Sequence, residues 1–149
     1  MKNYRITSTR TIKHEYILKE LNGYLCKRFQ YKKEFAHFSF SSGTITACSR
    51  KFDIHLRLFD DDKHYKGKET LVVARLFYDQ TRKGHGTDFL KFLTQLAMKC
   101  GFLLLAFENC NENSRKFVKN FGLIRVVDPS HHYQILVKDL ATNLNNSNY

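Results

Sequence analysis

The chain has no tryptophan, one proline (Pro129) and seven glycines among its 149 residues. It carries no Gly/Ser-rich linker and no internal repeat, so nothing marks a domain boundary. Its length suits a single domain, expected over residues 1–140, with 141–149 as an Asn-rich flexible tail. The four cysteines (Cys26, Cys48, Cys100, Cys110) show no Cys-x-x-Cys spacing and no histidines at zinc-finger distance. They read as reduced, mostly buried thiols, which argues against disulfides and against a structural metal. The longest apolar run, Phe102 to Phe107, is far short of the roughly 20 residues that span a bilayer. Met1 to Lys13 alternates polar and basic residues without the apolar segment of a secretory signal. These absences lead us to expect a cytoplasmic protein with no membrane partner.

What is present is apolar and basic. Hydrophobic residues make up 42% of the chain, with 13 Phe and 8 Tyr, enough for a sizeable core rather than a disordered chain. The net charge is +11, and residues 1–34 hold nine Lys/Arg against three Glu. Such a balance favours a polyanionic partner: DNA, RNA, the ribosome or an acidic protein. It fits equally well a solvated surface with a few cations kept for a phosphorylated cofactor.

Periodicity predicts the elements. A short strand is expected at Tyr4 to Ser8. Apolar residues at 12, 17, 18, 21, 24, 25 and 29 have helical spacing, and Asn22-Gly23 is expected to divide two helices, near 11–21 and 24–34. Strands follow near 36–48, with a turn at Ser42-Gly43, then at 52–59 and 70–78, with Asp60-Asp61-Asp62 and Lys63 to Lys68 forming the intervening turn. A helix with Phe89, Leu90, Leu93, Leu96 and Ala97 on one face ends at Gly101. The buried strand Phe102 to Phe107 comes next, then a short helix capped by Asn113 or Ser114 and stopped by Gly122, then strands near 123–127 and 132–138. The order is that of an α/β protein with a mixed sheet.

Between the most strand-like segment, Thr70 to Tyr78, and the following helix lies Thr81-Arg82-Lys83-Gly84-His85-Gly86-Thr87. The first N–H groups of a helix lack intrahelical partners and attract anions. Gly84 and Gly86 clear side chains from that approach, while Thr87 adds a hydroxyl and Arg82 and Lys83 add charge. A diphosphate is the natural guest. A dinucleotide fingerprint would need a third small residue where Phe89 stands, and a P-loop would need four residues between its glycines.

Thirty residues on, Asn111 to Leu123 follows a buried strand and opens a short helix ending Gly122-Leu123. Together these features resemble the GNAT superfamily of N-acetyltransferases. The family pattern Gln/Arg-x-x-Gly-x-Gly/Ala lies on Thr81 to Gly86, and its Asn-x-x-Ala/Ser with a Gly-Phe-like end lies on Asn111, Ser114 and Gly122-Leu123. The resemblance implies a mixed, mostly antiparallel sheet flanked by about four helices and splayed around an acyl-CoA site. It implies acetyl-CoA, or another acyl-CoA, as cofactor, with the pyrophosphate on the amides of residues 82–87. The pantetheine arm would pair with the backbone from Ala74 through Arg75 and Leu76 to Phe77, an amide near Leu76 polarising the thioester carbonyl. Asn111 would hold the pantetheine side.

Three positions depart from the family pattern. Thr81 replaces Gln/Arg, with Arg82 beside it. Val118 stands where a tyrosine general acid is frequent, and Ala106 where some members carry a glutamate base. A thiol of pKa near ~8.5 leaves without obligatory protonation, so the acid is dispensable. Glu108, two residues after Ala106 and so on the same side of a strand, is the substitute base; its alternative role is a strand-end carboxylate paired with a surface Lys or Arg. Tyr133 is a second catalytic candidate that could reach the acceptor pocket, and Tyr78 and His85 are further ones, although a loop position suits His85 to backbone geometry. Cys110 is weighed as a nucleophile, with no partner base visible. His131-His132 beside Pro129 read as an exposed turn.

The expected activity is acyl transfer to an amine, on a nucleic-acid-associated molecule or a protein. The rival is a catalytically degenerate relative that binds nucleic acid or a partner protein through its basic surface; a homodimer fits either. A polyamine or aminoglycoside acceptor fits less well, because the one dense acidic patch, Asp60-Asp61-Asp62, reads as a hairpin tip.

Overall fold

The helical spacing from Ile12 yields one uninterrupted helix, α1 (Ile12–Phe29), in the computed structural model, which describes residues 12–39, 43–59, 69–108, 110–126 and 132–146. The expected break at Asn22-Gly23 is absent. Asn22 is buried, and its side-chain amide accepts from the Ala36 N–H (2.9 Å) and donates to the Ala36 C=O (3.0 Å). That pair ties the helix to the first strand and offsets the roughly 1 kcal/mol cost of the following glycine. The expected first strand, Tyr4 to Ser8, and the turn at 60–68 lie outside the described residues.

Among the described residues seven strands form one sheet in the order β1-β2-β3-β4-β5-β7-β6. They are β1 (Ala36–Phe38), β2 (Thr44–Cys48), β3 (Phe52–Phe59), β4 (Thr70–Tyr78), β5 (Leu104–Phe107), β6 (Ile124–Arg125) and β7 (Tyr133–Leu136). All neighbours are antiparallel except β4 and β5, which run parallel and need a crossover helix, α2 (His85–Cys100). Gly101, with φ 82°, ends α2 as expected.

One core joins the inner face of α1 (Ile17, Leu21, Leu25, Phe29) to Ile54, Leu56 and Leu58 of β3, Leu71 and Val73 of β4, and Phe89 and Leu93 of α2. Alternation along β3 explains this: even-numbered residues turn inward, and Asp53, His55 and Arg57 turn to the other face.

Three expectations near the C-terminus are corrected. The helix α3 (Glu112–Asn120) is capped by Asn111, not Asn113 or Ser114; the Asn111 side chain accepts from the Ser114 N–H at 2.9 Å. The flexible tail placed from 141 onward is instead largely helix: α4 (Val137–Asn146) is amphipathic and buries Val137, Leu140 and Leu144. His132 is buried rather than in an exposed turn, at 4% exposure; His131 lies outside the described residues.

Candidate functional site

The site begins with a change of partner along β4. Thr70 to Val73 pair with β3 on one side and with Leu104 to Phe107 of β5 on the other. The last bond of the parallel pair runs from the Glu108 N–H to the Val73 carbonyl (3.0 Å). Beyond it, Arg75 to Tyr78 pair with β3 and with no other strand among the described residues, so the two parallel strands part. The register jumps at the same place: His55 opposes Arg75 while Leu56 opposes Val73, leaving Ala74 as the extra residue of a bulge.

The loop after β4 faces this gap. Gly84, at φ 78°, is the N-cap of α2, and no side chain caps that end, so the amides of the first turn keep their capacity for an anion. Arg82 also takes a left-handed conformation (φ 60°), a strained choice for a residue with a Cβ. A Cβ on Gly84 would meet nothing within 4 Å, whereas one on Gly86 would lie 3.3 Å from the Phe117 ring of α3. The loop, the free half of β4 and the start of α3 enclose a cleft of about 730 Å³. A smaller one of about 360 Å³ adjoins it at the fork of β4 and β5.

No protein-family model matches this chain, and no curated protein matches it. Solved structures are similar. A mutant of the AtaT toxin bound to the C-terminus of the antitoxin AtaR and acetyl-CoA has a TM-score of 0.52 at 18% identity, over 66% of this chain and 69% of its own. A chain of the KacTA–DNA complex has a TM-score of 0.52 at 16% identity, over 87% of this chain and 86% of its own. AtaTR bound with acetyl-CoA gives 0.51 at 16% identity, over 66% and 69%. The fold is that of the GNAT acetyltransferases.

On this GNAT fold most of the residues named for the cofactor meet at one place. Leu76, Thr81, Arg82, Gly84, His85, Gly86, Thr87, Asn111 and Ser114 line the larger cleft. Ala74 and Arg75 line the smaller one instead. Lys83 lines neither; its carbonyl accepts from Arg28 of α1 at 3.5 Å. The Arg75 side chain turns to the outer face of the sheet and pairs with Asp53 at 2.6 Å. Asn111 borders the larger cleft, but its carbonyl oxygen is engaged in capping α3, which leaves its amide nitrogen for any ligand.

The catalytic candidates separate. Glu108 borders the smaller cleft, and its carboxylate is held by Arg57 at 3.1 Å. The register explains the pairing: Arg57, Val72 and Ala106 form a row across β3, β4 and β5, so Arg57 reaches over β4 to the residue just past β5. Glu108 thus borders the fork and is paired with a surface arginine, the alternative role named for it. Tyr133 does not reach a cleft. It pairs with Phe107 and is buried in the core at 3% exposure, because the register of β7 turns its ring inward. Val118 is fully buried, so its position faces packing rather than a reacting group. Cys110 borders the smaller cleft, but burial pushes its thiol up to about 11, the wrong direction for a nucleophile at neutral pH.

Sequence reasoning missed a polar cluster beneath the loop. Tyr24 and Arg28 of α1 meet Asp88 of α2: the Tyr24 hydroxyl donates to Asp88 Oδ2 at 2.6 Å, and Arg28 lies 3.3 Å from the same oxygen. Burial pushes the Tyr24 phenol up, with the Asp88 hydrogen bond adding to it. Burial raises the Tyr78 phenol likewise, and its hydroxyl oxygen is buried with no hydrogen-bond partner among the described residues. The signal was the placement of Tyr24 and Arg28 one helical turn apart, which sequence could not connect to a loop 55 residues later.

Proposed function

We propose that the protein is an acyl-CoA-dependent N-acyltransferase, with acetyl-CoA as the donor. The observation that carries the reading is the fork of β4 and β5 opening onto an α2 N-terminus that no side chain caps. The residues fit the cofactor. The glycine loop leaves its amides approachable by a pyrophosphate, and the free half of β4 supplies backbone donors and acceptors to an extended amide-bearing arm. AtaT, of the same fold, is seen with acetyl-CoA, which supports the reading without deciding it.

When bound, the acyl thioester supplies the electrophilic carbonyl. This chain's residues then position and polarise. An amide of the Ala74 to Phe77 segment, at Leu76, donates toward the carbonyl oxygen, and Glu108 takes the proton that the acceptor ammonium must lose before it attacks. With Val118 buried, no acid stands at the usual tyrosine position, and the leaving thiolate departs unassisted. Calorimetric titration with acetyl-CoA tests the donor: saturable binding is expected, and none at millimolar concentration overturns the proposal. Glu108→Gln tests the base. It should lower kcat by about a hundredfold or more, as general-base catalysis requires, while leaving acetyl-CoA affinity unchanged. An unchanged kcat removes Glu108 from the mechanism.

A second reading concerns the partner, and a specific observation favours it. Lys27, Lys32 and Lys33 close α1 and the segment after it, Arg50 and Lys51 form the β2–β3 turn, and Arg82 and Lys83 lie in the loop. Contacts gather these into one corner. Lys51 donates to the Phe29 carbonyl (3.0 Å), the Asp79 N–H to the Lys51 carbonyl (3.0 Å), and the Tyr31 hydroxyl to Ser49 (3.2 Å). Of the large exposed apolar side chains, Ile12, Met98, Leu103 and Ile124 belong to other segments, and Phe77 borders the cleft. A nucleic acid, or an acceptor amine carried on one, suits such a surface. A gel shift with short RNA or DNA should weaken steeply between about 50 and 200 mM salt, roughly as the counterion-release slope requires. Absence of a shift at low salt overturns this reading while leaving the acyltransferase standing.

A further inference from the structure

We infer that His85 presents a neutral imidazole with its hydrogen on Nε2 as a side-chain donor to the cofactor pyrophosphate, and that Arg28 is the positioning residue that sets this tautomer. The inference rests on the acyl-CoA reading above and adds to it a side chain that binds and a second that acts through it.

The chemistry of the pair decides the tautomer. A guanidinium has N–H donors and no acceptor, so a nitrogen facing it must offer a lone pair. Arg28 Nε lies 3.2 Å from His85 Nδ1. Nδ1 is therefore the acceptor, and in the neutral ring the hydrogen is on Nε2. The ring is held from both sides, its centroid 4.8 Å from that of Phe29 and 5.2 Å from that of Tyr78. These contacts fix the plane of the ring, and the Arg28 hydrogen bond selects which of its nitrogens faces α1.

Arg28 is itself anchored at three points. Besides His85 it meets Asp88 at 3.3 Å and the Lys83 carbonyl at 3.5 Å, and Asp88 is held by the Tyr24 hydroxyl. One α1 side chain thus grips the loop before the glycines and the first turn after them. His85 lines the larger cleft next to Gly84, Gly86 and Thr87, where its hydrogen supplements the backbone amides. The groups facing the ring set its charge. Burial first, and then the Arg28 and Lys83 cations, hold its pKa below the ordinary imidazole value against the opposing pull of Asp88. In the free protein these groups favour the neutral ring, in which Nε2 already carries a hydrogen to donate.

The test uses the full chain and two probes, acetyl-CoA and acetyl-pantetheine, which lacks the pyrophosphate. Imidazole ¹⁵N shifts of the wild type should show Nδ1 unprotonated and Nε2 protonated, and Arg28→Met should lose that pattern. His85→Phe keeps the ring packing and should weaken acetyl-CoA about tenfold, the size of one hydrogen bond to a charged acceptor, leaving acetyl-pantetheine unaffected. His85→Gln, whose amide nitrogen can stand in for Nε2, should recover part of the loss. Arg28→Met should weaken acetyl-CoA less in the His85→Phe background than in the wild type, because the part of its effect that passes through the ring is already gone there, and equal effects in the two backgrounds overturn the role given to Arg28. A protonated Nδ1 in the wild type, or equal acetyl-CoA affinity in wild type and His85→Phe, overturns the inference alone. A wild type that binds no acetyl-CoA overturns the acyltransferase reading and this inference with it.

Discussion

The two halves of β4 share one strand and differ in every physical respect. Thr70 to Val73 are buried and bonded on both edges, as a central strand of a sheet requires. Ala74 to Tyr78 alternate between half-buried and exposed, and one edge is free of any strand among the described residues. The first half commits its backbone groups to the fold. The second half pairs one edge with β3 and leaves the other without a strand among the described residues, and the bulge at Ala74 marks the change. The lesson is that a binding site can be made by withholding a strand partner, with the stability supplied by the paired half.

The comparison can be broken from either side. The largest expected effect is on the ligand half's entrance. Gly86→Glu places a Cβ 3.3 Å from Phe117 and a negative charge at the α2 N-terminus, and acetyl-CoA affinity should fall by more than about a hundredfold by titration. Next, Leu71→Ala in the paired half empties a fully buried position and should cost about 2–5 kcal/mol in denaturant unfolding. Phe77→Ala, in the free half at 58% exposure, should change stability by no more than about 0.5 kcal/mol while still weakening acetyl-CoA. If the two variants destabilise equally, the division of β4 is wrong. Asn111→Ala removes the cap of α3 opposite the loop and should cost about 1 kcal/mol in thermal unfolding.

The smallest effect concerns pH. Burial lowers the pKa of both His85 and His132, with Arg28 adding to the first and Glu108 opposing the second. The folded chain thus resists protons that the unfolded chain accepts. The contribution of each is complete above the ordinary value of about 6.5 and is lost as pH falls through the folded values. The thermal stability of the wild type relative to His85→Phe should therefore be higher at about pH 7.5 than at about pH 5. A constant difference would show that the His85 ring titrates as it does in the unfolded chain.

The helical spacing of α1, the apolar stripe of α2, the run from Leu104 to Phe107 and the loop glycines were legible because each is a local pattern of side-chain period or backbone freedom. The errors share a cause. Asn22-Gly23 has the composition of a break, yet a hydrogen-bonded pair with Ala36 across the fold holds the helix together. Residues 141–146 have the composition of a tail, yet Leu144 has a core to enter. Tyr133 and Glu108 both lie by a strand end, and only the register turns one ring into the core and leaves the other carboxylate at the fork under Arg57.

By itself, then, the amino-acid order determined most of the elements and the anion-suited loop, since these follow from short-range sterics and from which groups a helix end leaves unpaired. Tertiary structure alone decided where β4 and β5 part, which candidate reaches the cleft, and that Arg28 grips His85 from 57 residues away. Those outcomes depend on strand register and on helix placement against the sheet, and neither is encoded within any one segment.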